Sequence, residues 1–377
     1  MLCFPCILLG MLAAVCAPAL KGARAQGVAA KGVPEAQSTA RNFEVQKIAE
    51  GVYAVVRRDL PGLMVDANNV FIINDEDVLV VDSNGAPAIT REVLAALRKL
   101  TDKPVRYVVN THYHDDHIRG NQVYREAFPG VEFIGHPFAR SYLTGEGAAN
   151  RKGFLEGAPG FRDTMRSLLE QNKSLGGWGL TEEERASYLS DIRLINLVLA
   201  EGAQAQTVLP TITVEDRLTL HRGGRVIDIR HVGRGHTGAD LVVHLPKEGV
   251  VITGDLVVAP VPLVGNPQSH VREWASTLEK ILALRPSVIV PGHGPVLRDY
   301  SYTRTLAEMF AYISRETEAA VVRGETLEQA RKSVKLDDFR KRLVGESQVR
   351  RVSFAMYVAG PAVAAAFGEA SAGKTGK

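Results

Sequence analysis

Thr111-His112-Tyr113-His114-Asp115-Asp116-His117 gathers three imidazoles and two carboxylates directly after the apolar run Val105-Arg106-Tyr107-Val108-Val109. A short run rich in β-branched residues reads as a strand, which puts the cluster at a strand end. Neutral imidazole and carboxylate together suit zinc and similar borderline divalent ions, and ligands at a strand end are open to solvent and substrate. That openness favours catalysis over a purely structural ion. Taken alone, the stretch also reads as a solvated polar loop with a chance excess of histidine, and only partner residues elsewhere in the chain decide against that.

Such partners follow, each closing an apolar segment. Gly235-His236-Thr237 comes after Val226-Ile227-Asp228-Ile229-Arg230-His231, Thr253-Gly254-Asp255 after Val250-Val251-Ile252, and Pro291-Gly292-His293-Gly294 after Val288-Ile289-Val290. In this order the four blocks, spanning Asn110 to Gly294, resemble the metallo-β-lactamase superfamily, whose H-x-H-x-D-H motif, later His, later Asp and final His build a dinuclear centre. The resemblance implies that His112, His114 and His236 hold a first metal ion, that Asp116, His117 and His293 hold a second, and that Asp255 bridges both. Its implied cofactor is a pair of divalent ions, zinc ahead of iron or manganese. Two dications a few ångströms apart repel, so a carboxylate shared between them is physically required. The implied fold is of the α/β (α+β) class, a four-layer αββα sandwich; periodicity alone says only mixed α and β.

The coarse pattern agrees. Strands are expected over 43–48, 52–56, 70–73 and 78–81, a helix over 87–100, and a strand over 105–109 that delivers the histidine cluster. Hairpin strands over 217–221 and 225–231 follow, then strands 240–245 and 250–253, a helix 271–284 with Ser269 as its N-cap, and strand 288–290. Residues 26–299 are read as one catalytic domain. Residues 138–210 interrupt it as a helical insertion, with one helix near 162–171 and another after a Thr181/Glu184 capping box, where Tyr188, Leu189, Ile192, Ile195 and Leu199 share a face. That insertion is either a packing addition or a wall over the metals, and Trp178 in its Gly-rich joint is the residue expected to touch an apolar substrate group. Residues 300–377 form a helical C-terminal extension, with Leu306, Met309, Phe310 and Ile313 as an intramolecular stripe and a second capping box at Thr326/Gln329.

Around the ligands, Asp82 ends the run Val78-Leu79-Val80-Val81 and is expected to orient a ligand imidazole, as metal-bound histidines usually need such a partner. His231, five residues before His236, is read as a second such supporting residue. Arg119 is either an anion contact for substrate or a surface charge. Asp115 is read as a solvated or hydrogen-bonded neighbour, and Asp240 as a strand-entry residue. His136, His221, His244 and His270 show no ligand spacing.

Residues 1–25 read as a signal peptide with Ala23-Arg24-Ala25 before the cleavage point, although no basic residue precedes the apolar stretch; an uncleaved anchor is the alternative. All three cysteines, Cys3, Cys6 and Cys16, lie inside it. The mature chain is therefore expected to be exported, periplasmic or secreted, with no disulfide and no thiol ligand. Loss of Lys21 and Arg24 takes the formal charge of +3 down to +1, which gives no electrostatic case for nucleic acid. No stable membrane insertion is expected after cleavage, and oligomeric state is open.

The site implies a hydrolase. Zinc lowers the pKa of its water to about 7, so hydroxide serves as nucleophile without a Ser or Cys, Asp116 can orient it, and Asp255 holds the ions together. The expected substrate is a small-molecule lactam, lactone, thioester or ester. A β-lactamase-like activity and a glyoxalase-II-like thioesterase or lactonase are both compatible: the all-His first site is similar to one lactamase subclass, the bridging Asp to the latter enzymes. An iron-dependent redox enzyme of the same fold and a non-catalytic periplasmic metal-binding protein are the readings from other classes.

Overall fold

A computed structural model describes residues 42–375 of the chain except 203, 266 and 267. The leader expected over 1–25 lies outside the described residues. Strands β1 Phe43–Ala49, β2 Val52–Arg57, β3 Asn69–Ile73, β4 Val78–Val81, β5 Val105–Val109, β6 Glu132–Gly135 and β7 Ile212–Thr213 form one sheet in that order. Its first four strands are an antiparallel meander and its last three add in parallel. Strands β8 Arg217–Arg222, β9 Arg225–Arg230, β10 Val242–Leu245, β11 Val250–Val258 and β12 Val288–His293 form the second, ordered β12-β11-β10-β9-β8.

Several strands are apolar at every position because both of their faces are covered. Val70, Ile72, Leu79 and Val81 point into the space between the sheets, against Ile229, Val243, Val250 and Val290. Phe71, Val78 and Val80 point the other way, onto Val93 and Leu97 of the helix Pro87–Leu97 and Tyr124 of the helix Asn121–Ala127. On the far side Val242 and Val251 pack under Trp274 and Leu278 of the helix Val271–Ala283, which in turn meets Leu306, Phe310 and Ile313 of the helix Ser301–Val322. The result is a four-layer αββα sandwich, and the stripe of the C-terminal extension is part of its core.

The insertion departs most from its sequence pattern. Its first long helix is Glu146–Glu170, with Pro159 inside it, rather than a short one near 162–171, and a further helix, Pro137–Thr144, precedes it. Gly and Pro lower helix propensity, but Phe161 and Met165 are buried against Tyr188, Ile192 and Ile195 of the helix Glu182–Glu201, and packing outweighs propensity. The capping box of Thr181 and Glu184 is present in both directions, as is that of Thr326 and Gln329. Leu189 does not share the buried face and is 45% exposed. Ser269 is not the cap of the helix Val271–Ala283: its hydroxyl donates instead to the carbonyl of His236 and accepts from the Gly265 N–H, both at 2.8 Å.

Candidate metal centre

Four strand ends converge on one point. β5 delivers His112, His114, Asp116 and His117; the loop after β9 delivers His236; Asp255 lies within β11 and His293 ends β12. Close approach is what Gly254 and Gly292 permit. Gly254 has φ +51° and a Cβ there would stand 2.4 Å from Thr111 Oγ1, while a Cβ on Gly292 would stand 2.0 Å from Asp255 Oδ1.

The donors fall into two groups that could each hold an ion: His112, His114, His236 and Asp255, and Asp116, His117 and His293. Within the first, His236 Nε2 lies 2.8 Å from His114 Nδ1. Within the second, His117 Nε2 and His293 Nε2 lie 3.4 and 3.1 Å from Asp116 Oδ2. Asp255 divides its two oxygens between the groups. Oδ1 is 3.3 Å from Nε2 of both His117 and His293, and Oδ2 is 3.5 Å from His236 Nε2 and 4.0 Å from His112 Nε2.

The nitrogen of each imidazole that turns away from the centre is tied down, which fixes the ring and its tautomer. His117 Nδ1 donates to Asp82 Oδ2 at 2.8 Å, His236 Nδ1 to the Leu263 carbonyl at 2.8 Å, and His293 Nδ1 to the Asp66 carbonyl at 3.0 Å. His112 Nδ1 meets Thr111 Oγ1 at 3.1 Å, and His114 Nε2 meets Gln268 Oε1 at 3.3 Å. Asp82 therefore takes the place expected of it. It also accepts from the Thr111 N–H and hydroxyl, both at 2.8 Å, and does so from a backbone φ of +58°, a strained conformation for a residue with a side chain. Gln268 and Asp66 carry no sequence signal that marks them as supports.

Whether these residues fit metal ions is tested by what they leave unsatisfied. His112 Nε2, Asp116 Oδ2 and Asp255 Oδ1 are buried without a hydrogen-bond partner, and all three face the centre. Burial holds His112 and His114 below the ordinary imidazole range and brings His236 down to about 3, so the first group presents neutral nitrogens, the form a cation needs. In the second group burial acts the same way but the carboxylates outweigh it. Asp116, Asp255 and Asp82 hold His117 well above its usual range, and Asp255 and Asp116 raise His293 to about 10. Protons there occupy a negative potential that a dication would fill. Donor type, orphaned atoms and charge all fit a pair of divalent ions.

Three expected residues are placed elsewhere. Arg119 is not a surface charge and does not line the pocket: it is 2% exposed and its Nε and Nη1 donate to Asp115 Oδ1 and Thr207 Oγ1, each at 2.7 Å. Arg151 Nη1 also donates to Asp115, at 3.3 Å, so that carboxylate clamps the insertion to the histidine loop. His231 reaches no ligand; its Nδ1 donates to the Asp240 carbonyl at 2.9 Å. The Asp240 carboxylate, beyond a strand-entry role, accepts from the N–H groups of Gly235 and Thr237 on either side of His236. Trp178, 36% exposed, turns its indole N–H to Glu184 Oε1 at 3.2 Å and does not line the pocket.

That pocket, about 170 Å³, opens directly onto His114, Asp116, His236 and Asp255. Its walls are mostly apolar: Leu63, Met64 and Ile89 from the sandwich, and Phe154, Leu194 and Val198 from the insertion. The insertion is thus a wall of the site, built from its helix faces rather than its Gly-rich tip.

Replacing Asp82 by Ala is expected to weaken metal affinity about 10- to 100-fold at the His117 group, which loses the partner that fixes its ring, and less at the His112 group, which Asp82 supports only through Thr111. Competition against a chromophoric chelator measures both sites. Equal affinities for variant and wild type would show that His117 is held without Asp82.

Residues 63–293 match the metallo-beta-lactamase superfamily. Among individual proteins, the chain is similar to a linear primary-alkylsulfatase of a Pseudomonas species, at 25% identity over 271 residues, which is 69% of this chain and 48% of that one. It is similar to the type 2 metallo-beta-lactamase of Bacteroides fragilis at 28% identity over 136 residues, 35% of this chain and 51% of the other. The chain thus spans about half the length of each of these relatives. Among solved structures, a metallo-beta-lactamase from Pontibacter korlensis aligns with a TM-score of 0.49 at 19% identity, covering 71% of this chain and 99% of that one.

Proposed function

The chain belongs to the metallo-β-lactamase superfamily of metal-dependent hydrolases, and from that premise we propose that it uses two divalent ions, zinc by donor type, to hydrolyse a small ester, thioester, lactone or lactam that carries an apolar group. The observation that carries this reading is the division of Asp255 between two donor groups at the floor of an apolar pocket.

When bound, such ions supply Lewis acidity and make water a nucleophile at neutral pH. The chain's own residues supply the rest. Asp255 spans both groups and offsets their charge. Asp82, Gln268 and the carbonyls of Leu263 and Asp66 hold the imidazoles in one orientation each, so little reorganisation remains when the reaction begins. Asp116 is the most exposed of the two carboxylates in the donor set and lines the pocket, which suits it to accept a hydrogen bond from the attacking water. Leu63, Ile89, Phe154 and Leu194 exclude bulk water and bind the apolar group beside the scissile bond.

A second reading is favoured by the apolar walls together with the similarity to an alkylsulfatase: the scissile bond is then a sulfate ester on an alkyl chain. One experiment tests both. The zinc-loaded protein, analysed for metal content, is assayed on chromogenic β-lactam, lactone, thioester, carboxylic ester and alkyl sulfate substrates in short and long apolar forms. About two ions per chain and turnover that rises with apolar length are expected. In the same panel Phe154→Ala is expected to reduce the long-to-short preference several-fold, and Trp178→Ala to leave it unchanged. One ion or fewer under zinc excess sinks the dinuclear reading, and absence of turnover on every class sinks the hydrolase.

A further inference from the structure

Residues 63–66 are a partition. On one side lies the apolar pocket described above; on the other lies a larger cleft of about 560 Å³, and Met64, Val65, Asp66, Leu263 and Tyr357 line both. The partition is held in place from three directions. The Asp191 carboxylate of the insertion accepts from the N–H groups of Leu63 and Met64, at 3.1 and 2.9 Å. The Tyr357 hydroxyl of the C-terminal extension donates to the Leu63 carbonyl at 2.7 Å, and His293 Nδ1 donates to the Asp66 carbonyl at 3.0 Å. The cleft on the far side is therefore a feature of a fixed wall, and its volume lies in the range of small-molecule sites, roughly 300 to 1,000 Å³.

Its lining differs in kind from the first pocket. Three guanidiniums, of Arg57, Arg342 and Arg350, face two carboxylates, of Asp59 and Asp66. Arg57 is matched, with Nε 2.8 Å from Asp59 and 3.3 Å from Asp66. Arg342 is matched by Glu308 at 2.8 Å. Arg350 is half-buried, and among the described residues no carboxylate or carbonyl takes its guanidinium. The Arg350 guanidinium therefore keeps its donors for solvent or a ligand, and a planar guanidinium answers best to an oxyanion that accepts two parallel hydrogen bonds. Val258, Leu263 and Leu297 supply apolar surface beside it.

We propose that this cleft is a second small-molecule site, in which Arg350 binds an oxyanion, carboxylate or phosphate, in a chamber separated from the metal-facing pocket by residues 63–66. His293 is among its lining residues, so the anion is either an independent ligand or the acidic part of a substrate that reaches the centre from this side. The proposal stands independently of the hydrolytic reading.

Calorimetric titration of inorganic phosphate into the zinc-loaded full chain tests it. Phosphate on the metal ions is common to all variants, so the comparison isolates the cleft. Arg350→Gln is expected to lose one binding event or weaken it at least about tenfold, with Arg350→Lys falling between that variant and wild type because the charge remains while the two-pronged hydrogen bonding is lost. Metal content equal to wild type confirms that the centre is intact, and Arg350→Met, which keeps an unbranched stem without the charge, gives a second variant should Arg350→Gln not fold. Identical isotherms for wild type and either uncharged Arg350 variant overturn the proposal. The mode of inhibition separates the two sources: phosphate that competes with substrate only when Arg350 is present marks the cleft as part of the substrate site, and Arg350-dependent binding without competition marks an independent anion.

Discussion

Asp255→Ala is expected to lower kcat/KM by at least about a thousandfold, about 4 kcal/mol of transition-state stabilisation, and to lower zinc stoichiometry at limiting metal. The reason is geometric. One carboxylate oxygen lies 3.3 Å from the nearest donors of the second group and the other 3.5 Å from the first, so a single side chain supplies the negative charge between both ions. With two ions bound as proposed, removing it would leave two dications facing each other across a buried space with less negative charge between them, and neither Asp116 nor Asp82 is placed to reach across. Asp255→Asn, which keeps the shape and discards the charge, should fall in the same direction. Steady-state kinetics at saturating zinc, with metal content measured on the same samples, decides the matter. Turnover close to wild type in the alanine variant would mean that one ion suffices.

The candidate centre is largely legible in the sequence because its residues follow apolar runs, although Asp255 lies inside its strand, and a strand buried on both faces is the plainest signal a single sequence carries. What local pattern hides is support from afar. Gln268 braces His114 from 154 positions away and the Asp66 carbonyl braces His293 from 227, contacts that the sandwich topology makes and no spacing announces. Asp82 could be anticipated only because it, too, ends a strand beside the cluster. The misplacements share a cause. Residue type alone suggests Trp178 and Arg119, an indole for apolar substrate and a guanidinium for an anion, whereas each spends its polar atoms on a neighbour. Arg350, with no such neighbour among the described residues, stands in a helical extension whose sequence reads as packing alone. The helix Glu146–Glu170 escaped for a different reason: its glycines and Pro159 argue against a helix locally, and only burial against the helix Glu182–Glu201 stabilises it.

The C-terminal extension is joined to the metal centre through Trp274, and Trp274→Ala is expected to cost about 4 kcal/mol of stability, read as a lowered denaturation midpoint. The indole is fully buried and stacked on Phe310 of the helix Ser301–Val322, with ring centroids 4.3 Å apart at 16°. Its Nε1 donates at 3.0 Å to the carbonyl of Leu256, the residue after Asp255. Its edge lies against the His236 ring, 5.8 Å between centroids, and so close to Gly235 that a Cβ there would stand 2.9 Å from it. Truncation opens a cavity between three layers and strands a buried carbonyl, two costs that add because no neighbour can fill both. Trp274→Phe keeps most of the ring and loses only the hydrogen bond, so it should cost about 1 to 3 kcal/mol. If the helix Ser301–Val322 acts on the site through this contact, Trp274→Ala also weakens zinc at the His112, His114 and His236 group more than at the Asp116, His117 and His293 group, because the indole packs on His236 and Gly235, which belong to the former alone. Equal loss at both groups, or a midpoint within about 1 kcal/mol of wild type, would show that the extension covers the sandwich without positioning its centre.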